Sequence, residues 1–246
     1  MSIGSAAGIE PSEGVACAAC ESRDLIRCGR PPVNTSDFLG SALDSGMDPG
    51  TLFECKNCGL RFRAPHPTEE QLFAYYQRMD ATHCWRHGPE RQVWRYVKQE
   101  LEHIPQASVL DVGCFRGEML GYLGDGWERF GVEPSKEAAL EAQGRGITII
   151  AENIESLAGD VAHRFGAITL IDVAEHLPRP LDSLKLLTRL LLPGGKMIIF
   201  TGNTDAFSWR LSGLDYYYSA MPEHVVFMKP SWFRWAAPRM GCDIVS

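Results

Sequence analysis

The sequence predicts an α/β chain: a doubly wound parallel sheet preceded by a small module organised by four cysteines. Three observations carry this. First, an apolar strand, Ser108 to Val112, runs into a turn bearing Gly113 and Gly117 and then into a helix, all within VLDVGCFRGEML (109–120); a second strand, Phe130 to Val132, ends on Glu133. Second, strand-like and helix-like stretches alternate onward to about residue 200, as a parallel sheet with crossover helices requires. Third, two C-x-x-C pairs, Cys17/Cys20 and Cys55/Cys58, stand ahead of that alternation.

Composition sets the outer limits. A chain of 246 residues can form one large domain, or one with a small module attached. Its 45% apolar and 22% charged residues are ordinary for a globular protein. The net charge of −7 argues against a duplex-binding surface, which needs clustered Lys and Arg, so nucleic acid is not the expected partner. No apolar run reaches the length of a membrane span, and MSIGSAAGIEPSEG (1–14) lacks a basic-then-apolar leader pattern. A cytoplasmic location is expected. There the eight cysteines stay reduced, and close pairs read as metal ligands before disulfides.

Taken in order, residues 1–14 are small and polar and read as a disordered tail. Residues 15–66 read as a zinc ribbon. A two-residue spacer lets both sulfurs of a turn face one ion, so Cys17, Cys20, Cys55 and Cys58 form a tetrahedral thiolate set. Four thiolates leave no open position, which makes the zinc structural, and a segment this short needs the metal to fold. Redox chemistry or unmetallated thiols are the alternative readings, and Cys28 lies between the pairs as a competing ligand. Cys84, Cys114 and Cys242 have no C-x-x-C partner and default to packing. Residues 67–104 read as a helical linker or lid: Thr68 and Gln71 make a capping box that opens a helix through EEQLFAYYQRM (69–79), and a second helix, Pro89 to Leu101, is expected on the lid side of the sheet domain's entrance. Residues 105–246 form that sheet domain.

Its first turn suits a nucleoside carrying an amino acid. Gly113-Cys114-Phe115-Arg116-Gly117 has two glycines where a dinucleotide fingerprint needs three, and Asp111 at the strand end would repel a phosphate but attract an ammonium. Glu133, at the tip of the next strand, can accept from both ribose hydroxyls. These residues resemble motif I and the following acid of the class I S-adenosylmethionine-dependent methyltransferases. Asp111, Gly113, Cys114 and Gly117 match the family form D-x-G-C-G-x-G, with Phe115 at the middle glycine. The resemblance implies a Rossmann-like methyltransferase sheet and an S-adenosylmethionine site built from Asp111, Gly113, Cys114, Phe115, Gly117 and Glu133.

The next helix, Ser135 to Gln143, stops at Gly144, and Ile147 to Ala151 is a β-branched run expected to be a buried strand. By the resemblance Asn153 stands beside the adenine amino group, its carbonyl accepting from the amine; on its residues alone it caps the next turn equally well. Ala167 to Ile171 is the fourth strand. Asp172-Val173-Ala174-Glu175-His176 follows at its carboxyl end and matches the family form D-V-x-E-H-x-x-x-P. That match implies that backbone near Asp172 and Val173 meets the methionine end of the cofactor and that His176 lies near the sulfonium. Pro180 to Leu192 reads as an amphipathic helix, LLPGGKMIIFTGN (191–203) as the turn into the fifth strand, and Ser231 to Met240 as a further helix. Gly241 to Val245 reads as the start of a sixth strand, leaving the sheet without its last strand; either the chain is shortened, or a homodimer partner covers the edge.

After the fifth strand, Trp209, Tyr216, Tyr217 and Tyr218 are expected at the substrate entrance, as stacking surfaces or as lid packing. Glu223-His224 then offers a histidine with the pKa of a general base and a carboxylate able to fix its tautomer; His176 is the alternative base. The stretch C-x-x-C-G-L-R-F-x-x-P-x-P-T-E-E-Q-L-x-x-Y-Y (55–76) is similar to the zinc-bearing segment of bacterial sugar and cell-envelope methyltransferases, among them deoxysugar C-methyltransferases. That resemblance implies roles in substrate deprotonation for Glu223 and His224, with Tyr76, or its neighbour Tyr75, contributed by the N-terminal segment. The expected activity is methyl transfer to an O or C nucleophile of a small molecule, a sugar nucleotide or an envelope or secondary-metabolite precursor. Two rivals stay open. An RNA methyltransferase would want more Lys and Arg than residues 1–50 carry, and an Asp-Pro-Pro-Tyr-like tetrad after the fourth strand. A non-catalytic cofactor-binding scaffold would leave Glu133, His176 and His224 without a task.

Overall fold

The computed structural model describes residues 14–32, 50–77, 91–104, 108–159 and 164–245. The N-terminal module is an antiparallel sheet of β1 (Leu25–Gly29), β2 (Thr51–Cys55) and β3 (Arg61–Ala64), with Phe53 opposite Phe62 in the register and their rings stacked at 5.9 Å. Helix α1 (Glu69–Gln77) opens with the expected box: the Thr68 amide donates to Gln71 Oε1 at 2.9 Å, and the Gln71 amide to Thr68 Oγ1 at 3.2 Å. Residues 1–13 of the expected tail (1–14), Cys84, Pro89 and the end of the first helix at Met79 lie outside the described residues.

Helix α2 (Gln92–Leu101) precedes the parallel sheet, which is built from β4 (Ser108–Val112), β5 (Glu128–Val132), β6 (Thr148–Ala151), β7 (Phe165–Ile171) and β8 (Leu191–Phe200), with α3 (Glu118–Leu123), α4 (Lys136–Gly144) and α5 (Pro180–Thr188) in the crossovers. Strand order is β6-β5-β4-β7-β8, so the chain reverses direction across the sheet at β4, where an open α/β sheet forms its ligand crevice. Strand periodicity divides the core. Leu110 and Val112 face one side, with Leu184 and Leu187 of α5; Val109 faces the other, with Val97 and Leu101 of α2 and Leu120 of α3. Helix α2 therefore covers a face of the sheet, and only its N-terminal end reaches the crevice.

The doubly wound sheet behind a small cysteine-bearing module is the architecture expected. Several details differ. Helix α5 ends at Thr188, because Leu191 is already paired with Phe165 as the start of β8. β6 is the sheet's edge, so its residues are half-buried at most. The last helix is α7 (Pro230–Ala236) followed by a 3₁₀ turn, Ala237–Met240, since Pro238 lacks the amide that would continue an α-helix. Residues 241–245 form no strand; the Cys242 amide closes on the Ala237 carbonyl at 3.0 Å instead.

The least expected element comes after α6 (Phe207–Ser212). The two-residue strand β9 (Val226–Phe227) follows the parallel sheet in sequence but pairs with β3 as the fourth strand of the N-terminal sheet. The boundary drawn at residue 66 is thus crossed by backbone hydrogen bonds, and both parts contribute to one continuous apolar core, from Cys58 and Phe62 to Ile168 and Trp232. Among the described residues no helix is long and apolar enough to cross a membrane.

Candidate active site

At the carboxyl ends of β4 and β5 the amides of Gly113 and Cys114 both donate to the Val132 carbonyl, at 2.8 and 3.2 Å, which folds the loop back over β5. Gly113 is at φ +73°, and a Cβ there would stand 2.6 Å from Val173 Cγ2, so no larger residue fits beside the loop after β7. Phe115, at φ +48°, holds the left-handed conformation that a glycine would adopt freely, at a cost of roughly 1–3 kcal/mol. Its amide donates to Glu133 Oε2 at 2.8 Å, and the Ser135 amide to Glu133 Oε1 at 2.9 Å. Asp111 accepts from the Thr169 hydroxyl at 2.6 Å. Burial pushes both carboxyls up to about 7, against the hydrogen bonds that hold them down.

Asp111, Gly113, Cys114, Phe115, Glu133, Asn153, Asp172 and Val173 all line one cavity of about 820 Å³. Gly117 does not. Its missing Cβ makes room for Ile147, whose Cδ1 would lie only 1.9 Å away, so this glycine serves packing beside the loop. The Cys114 side chain turns into the core, 2.4 Å from where a Cβ on Gly131 would sit, leaving only its backbone to the cavity. Asn153 Oδ1 accepts from both the amide and the hydroxyl of Ser156, at 2.8 and 2.7 Å, so its carbonyl caps the following turn and has no lone pair left for an adenine amine. Asp172, at φ +55°, pairs with Arg91 Nη2 at 2.7 Å.

The same cavity reaches Tyr76, Glu175, His176, Tyr218, Glu223 and His224. His176 Nδ1 lies 2.8 Å from Tyr76 Oη and 3.0 Å from the Glu223 carbonyl; Tyr76, not Tyr75, makes this contact. His224 Nδ1 lies 2.9 Å from the Tyr218 carbonyl, and the two imidazoles meet edge-on at 4.8 Å. A carbonyl only accepts, so Nδ1 of His224 carries a proton and its neutral ring keeps the Nε2 lone pair. The His224 tautomer is thus set by the Tyr218 carbonyl, where the sequence suggested the Glu223 carboxylate. Burial, with His176 and Arg63 adding to it, drives the His224 pKa well below 6.5, so the ring is neutral at pH 7.

Glu175, 1% exposed, is a site residue that the sequence does not single out. It accepts from Tyr218 Oη at 2.6 Å and Thr201 Oγ1 at 2.9 Å, and Tyr218 Oη also accepts from the Gly202 amide at 2.9 Å. Of the four aromatics expected at the entrance, Tyr217 and Tyr218 line the cavity. Trp209 and Tyr216 instead pack together at 5.6 Å, with Phe227 against Trp209. Arg91 was also missed: an isolated arginine ahead of a helix carries no signal of its partner.

Cys17, Cys20, Cys55 and Cys58 come together, their sulfurs all within 4.8 Å of one another. Cys17 and Cys58 lie 3.5 Å apart, and Cys20 and Cys55 3.6 Å apart. The Ala19 amide and the Asn57 side chain donate to Cys17 and Cys20, contacts that favour thiolates. Cys17 is pushed down to about 5 by its hydrogen bond with Cys58, which is pushed up in turn. Cys28, in β1, contacts the Ile26 carbonyl and is not in the cluster.

Comparison with known proteins fits this geometry. A family model described as a methyltransferase domain matches residues 84–246. A ubiquinone biosynthesis O-methyltransferase of Serratia proteamaculans is 28% identical over 149 residues, 55% of this chain and 62% of that protein. Its Xanthomonas axonopodis counterpart is 31% identical over 163 residues, 58% and 68% of the two chains. The chain thus spans about three fifths to two thirds of these relatives. Among solved structures, the plantazolicin methyltransferase BpumL, in complex with a monoazolic desmethylPZN analog and SAH, superimposes with a TM-score of 0.51 at 19% identity, over 71% of this chain and 70% of that one, a likeness of fold.

Proposed function

Because the chain belongs to the methyltransferase-domain family, we propose that it transfers the methyl group of S-adenosylmethionine to an oxygen or carbon nucleophile of a small molecule, with His224 as general base. One observation carries the reading: two buried carboxyls, Asp111 and Glu133, share a single cavity with a neutral histidine whose Nδ1 proton is committed to backbone. About 820 Å³ is room for cofactor and acceptor together.

In this reading Glu133 accepts from the ribose hydroxyls, Asp111 faces the ammonium, and the Gly113 turn supplies a floor that a side chain would fill. The bound cofactor supplies an electrophilic methyl group. His224 Nε2 takes the acceptor's proton, and the Tyr218 carbonyl stabilises the resulting imidazolium through Nδ1. Tyr76, its hydroxyl kept protonated by burial, is placed to hydrogen-bond the acceptor or to steady His176. Leu72, Phe73, Tyr217 and Met221 give the acceptor end flat, apolar walls. The relatives named O-methyltransferases favour oxygen as the nucleophile; the likeness of the N-terminal segment to sugar and envelope enzymes favours a sugar-like precursor. The four thiols hold a structural zinc, since four sulfur ligands close the coordination shell.

The test is transfer of labelled methyl from S-adenosylmethionine to the small-molecule and RNA fractions of a cell extract. Label is expected in the small-molecule fraction and should fall roughly 10²–10⁴-fold in His224→Gln. Label confined to RNA, or undiminished in the variant, would refute the acceptor class or the base respectively.

A further inference from the structure

Arg63 is fully buried, yet it does not line the cavity. It projects from β3 of the cysteine module into the segment that carries His224. Its Nη2 donates to the Ser219 and Met221 carbonyls at 2.7 and 3.0 Å, its Nε donates to the His224 carbonyl at 3.1 Å, and its backbone amide donates to Val225 at 2.9 Å. The guanidinium also lies 5.8 Å over the Phe227 ring. Residues 220–225 form no helix or strand of their own; the His224 amide donates to the Met221 carbonyl at 3.2 Å, and the other buried carbonyls need donors from elsewhere. A rigid guanidinium fork serves three carbonyls from two separate nitrogens, a spacing that a lysine, with its three donors on one atom, does not reproduce.

The same segment orients both imidazoles, through the Tyr218 carbonyl on His224 and the Glu223 carbonyl on His176. β3 in turn begins three residues after Cys58, directly beyond the second cysteine pair. We propose that Arg63 is a positioning residue for the reaction: through it the cysteine module sets the placement and protonation of His224. This rests on the reading of His224 as the base.

The test uses the full, zinc-loaded chain and needs no acceptor. Titration of His224 is followed by imidazole NMR, with His224→Gln for assignment, and backbone hydrogen exchange is followed over residues 217–225. The groups facing His224 are His176, Tyr218 and Arg63. In Arg63→Met the His224 pKa should climb at least ~1 unit towards that of an ordinary histidine, and exchange should quicken at least ~10-fold. Arg63→Lys should fall in between, and it decides alone if the methionine variant does not fold. Lys229→Met, which removes the 2.8 Å pair with Glu54 on the same seam, should change neither. An unaltered His224 in the Arg63 variants, or an equal shift in Lys229→Met, would overturn the proposal and leave the base reading standing. Full turnover by His224→Gln would defeat the base reading and leave the NMR result intact.

Discussion

Replacing Glu133 with glutamine tests the cofactor site most directly, because its consequences can be worked out in number and in pH dependence. Burial raises Glu133 from its ordinary 4.5, and Asp111 from 3.8, each to about 7. An acid whose folded pKa is raised gives the empty protein stability that is fully present below about pH 4 and lost as pH rises through 7. Ribose hydroxyls and an ammonium favour the ionised forms, so S-adenosylhomocysteine should bind more tightly as pH rises and release protons below 7. At pH 6 only about one carboxyl in eleven is ionised, so each site weakens binding ~10-fold relative to pH 8, and the two together ~100-fold. Glu133→Gln keeps only the Asp111 share of that slope. It also turns an amide NH₂ towards either the Phe115 or the Ser135 amide and loses a charge-assisted acceptor, which at about 1.5–3 kcal/mol weakens binding at pH 8 by ~10- to 150-fold. Calorimetry at pH 6, 7 and 8, in buffers of different ionisation enthalpy, measures both affinity and proton release. Affinity flat across that range in the unaltered protein, or a glutamine variant with the full slope, would refute the reasoning.

Other outcomes follow from single contacts. Gly113→Ala should lower stability by roughly 1–3 kcal/mol in urea unfolding, since φ +73° strains any side chain and the new methyl meets Val173; adding Val173→Ala should recover the steric part alone. Tyr218→Phe leaves Glu175 Oε1 without its phenol donor and the Gly202 amide without its acceptor, at a cost of roughly 1–3 kcal/mol in thermal or urea melts. Purified protein should carry ~1 zinc per chain by elemental analysis, and Cys55→Ser should lose most of it and melt earlier.

The parts of this molecule that were legible in the sequence are those whose signal is local. β4 runs from Ser108 to Val112 as read, because an apolar run bounded by a glycine turn needs no distant partner to be a strand. Thr68 and Gln71 announce their helix for the same reason. The four cysteines were legible because metal geometry dictates their spacing. What was hidden depended on tertiary pairing. Nothing about Arg63 or Arg91 indicates the carbonyls or the carboxylate that each meets far away in sequence. Val226–Phe227 is too short to be read as a strand without β3 beside it. Asn153 was ambiguous because one side chain satisfies either reading, and only the position of Ser156 decides.

The seam formed by β3 and β9 has a consequence for biosynthesis. Residues 61 and 62 leave the ribosome some 160 residues before their partners, 227 and 226. Until those arrive, the N-terminal sheet presents β3 as a bare edge, with an arginine whose acceptors do not yet exist, and a contact of such sequence separation closes late. The cysteine module can therefore nucleate early but is completed only after the Rossmann-like half has formed. A gene split at the apparent boundary near residue 66 should yield two fragments that aggregate when made apart and recover when co-expressed.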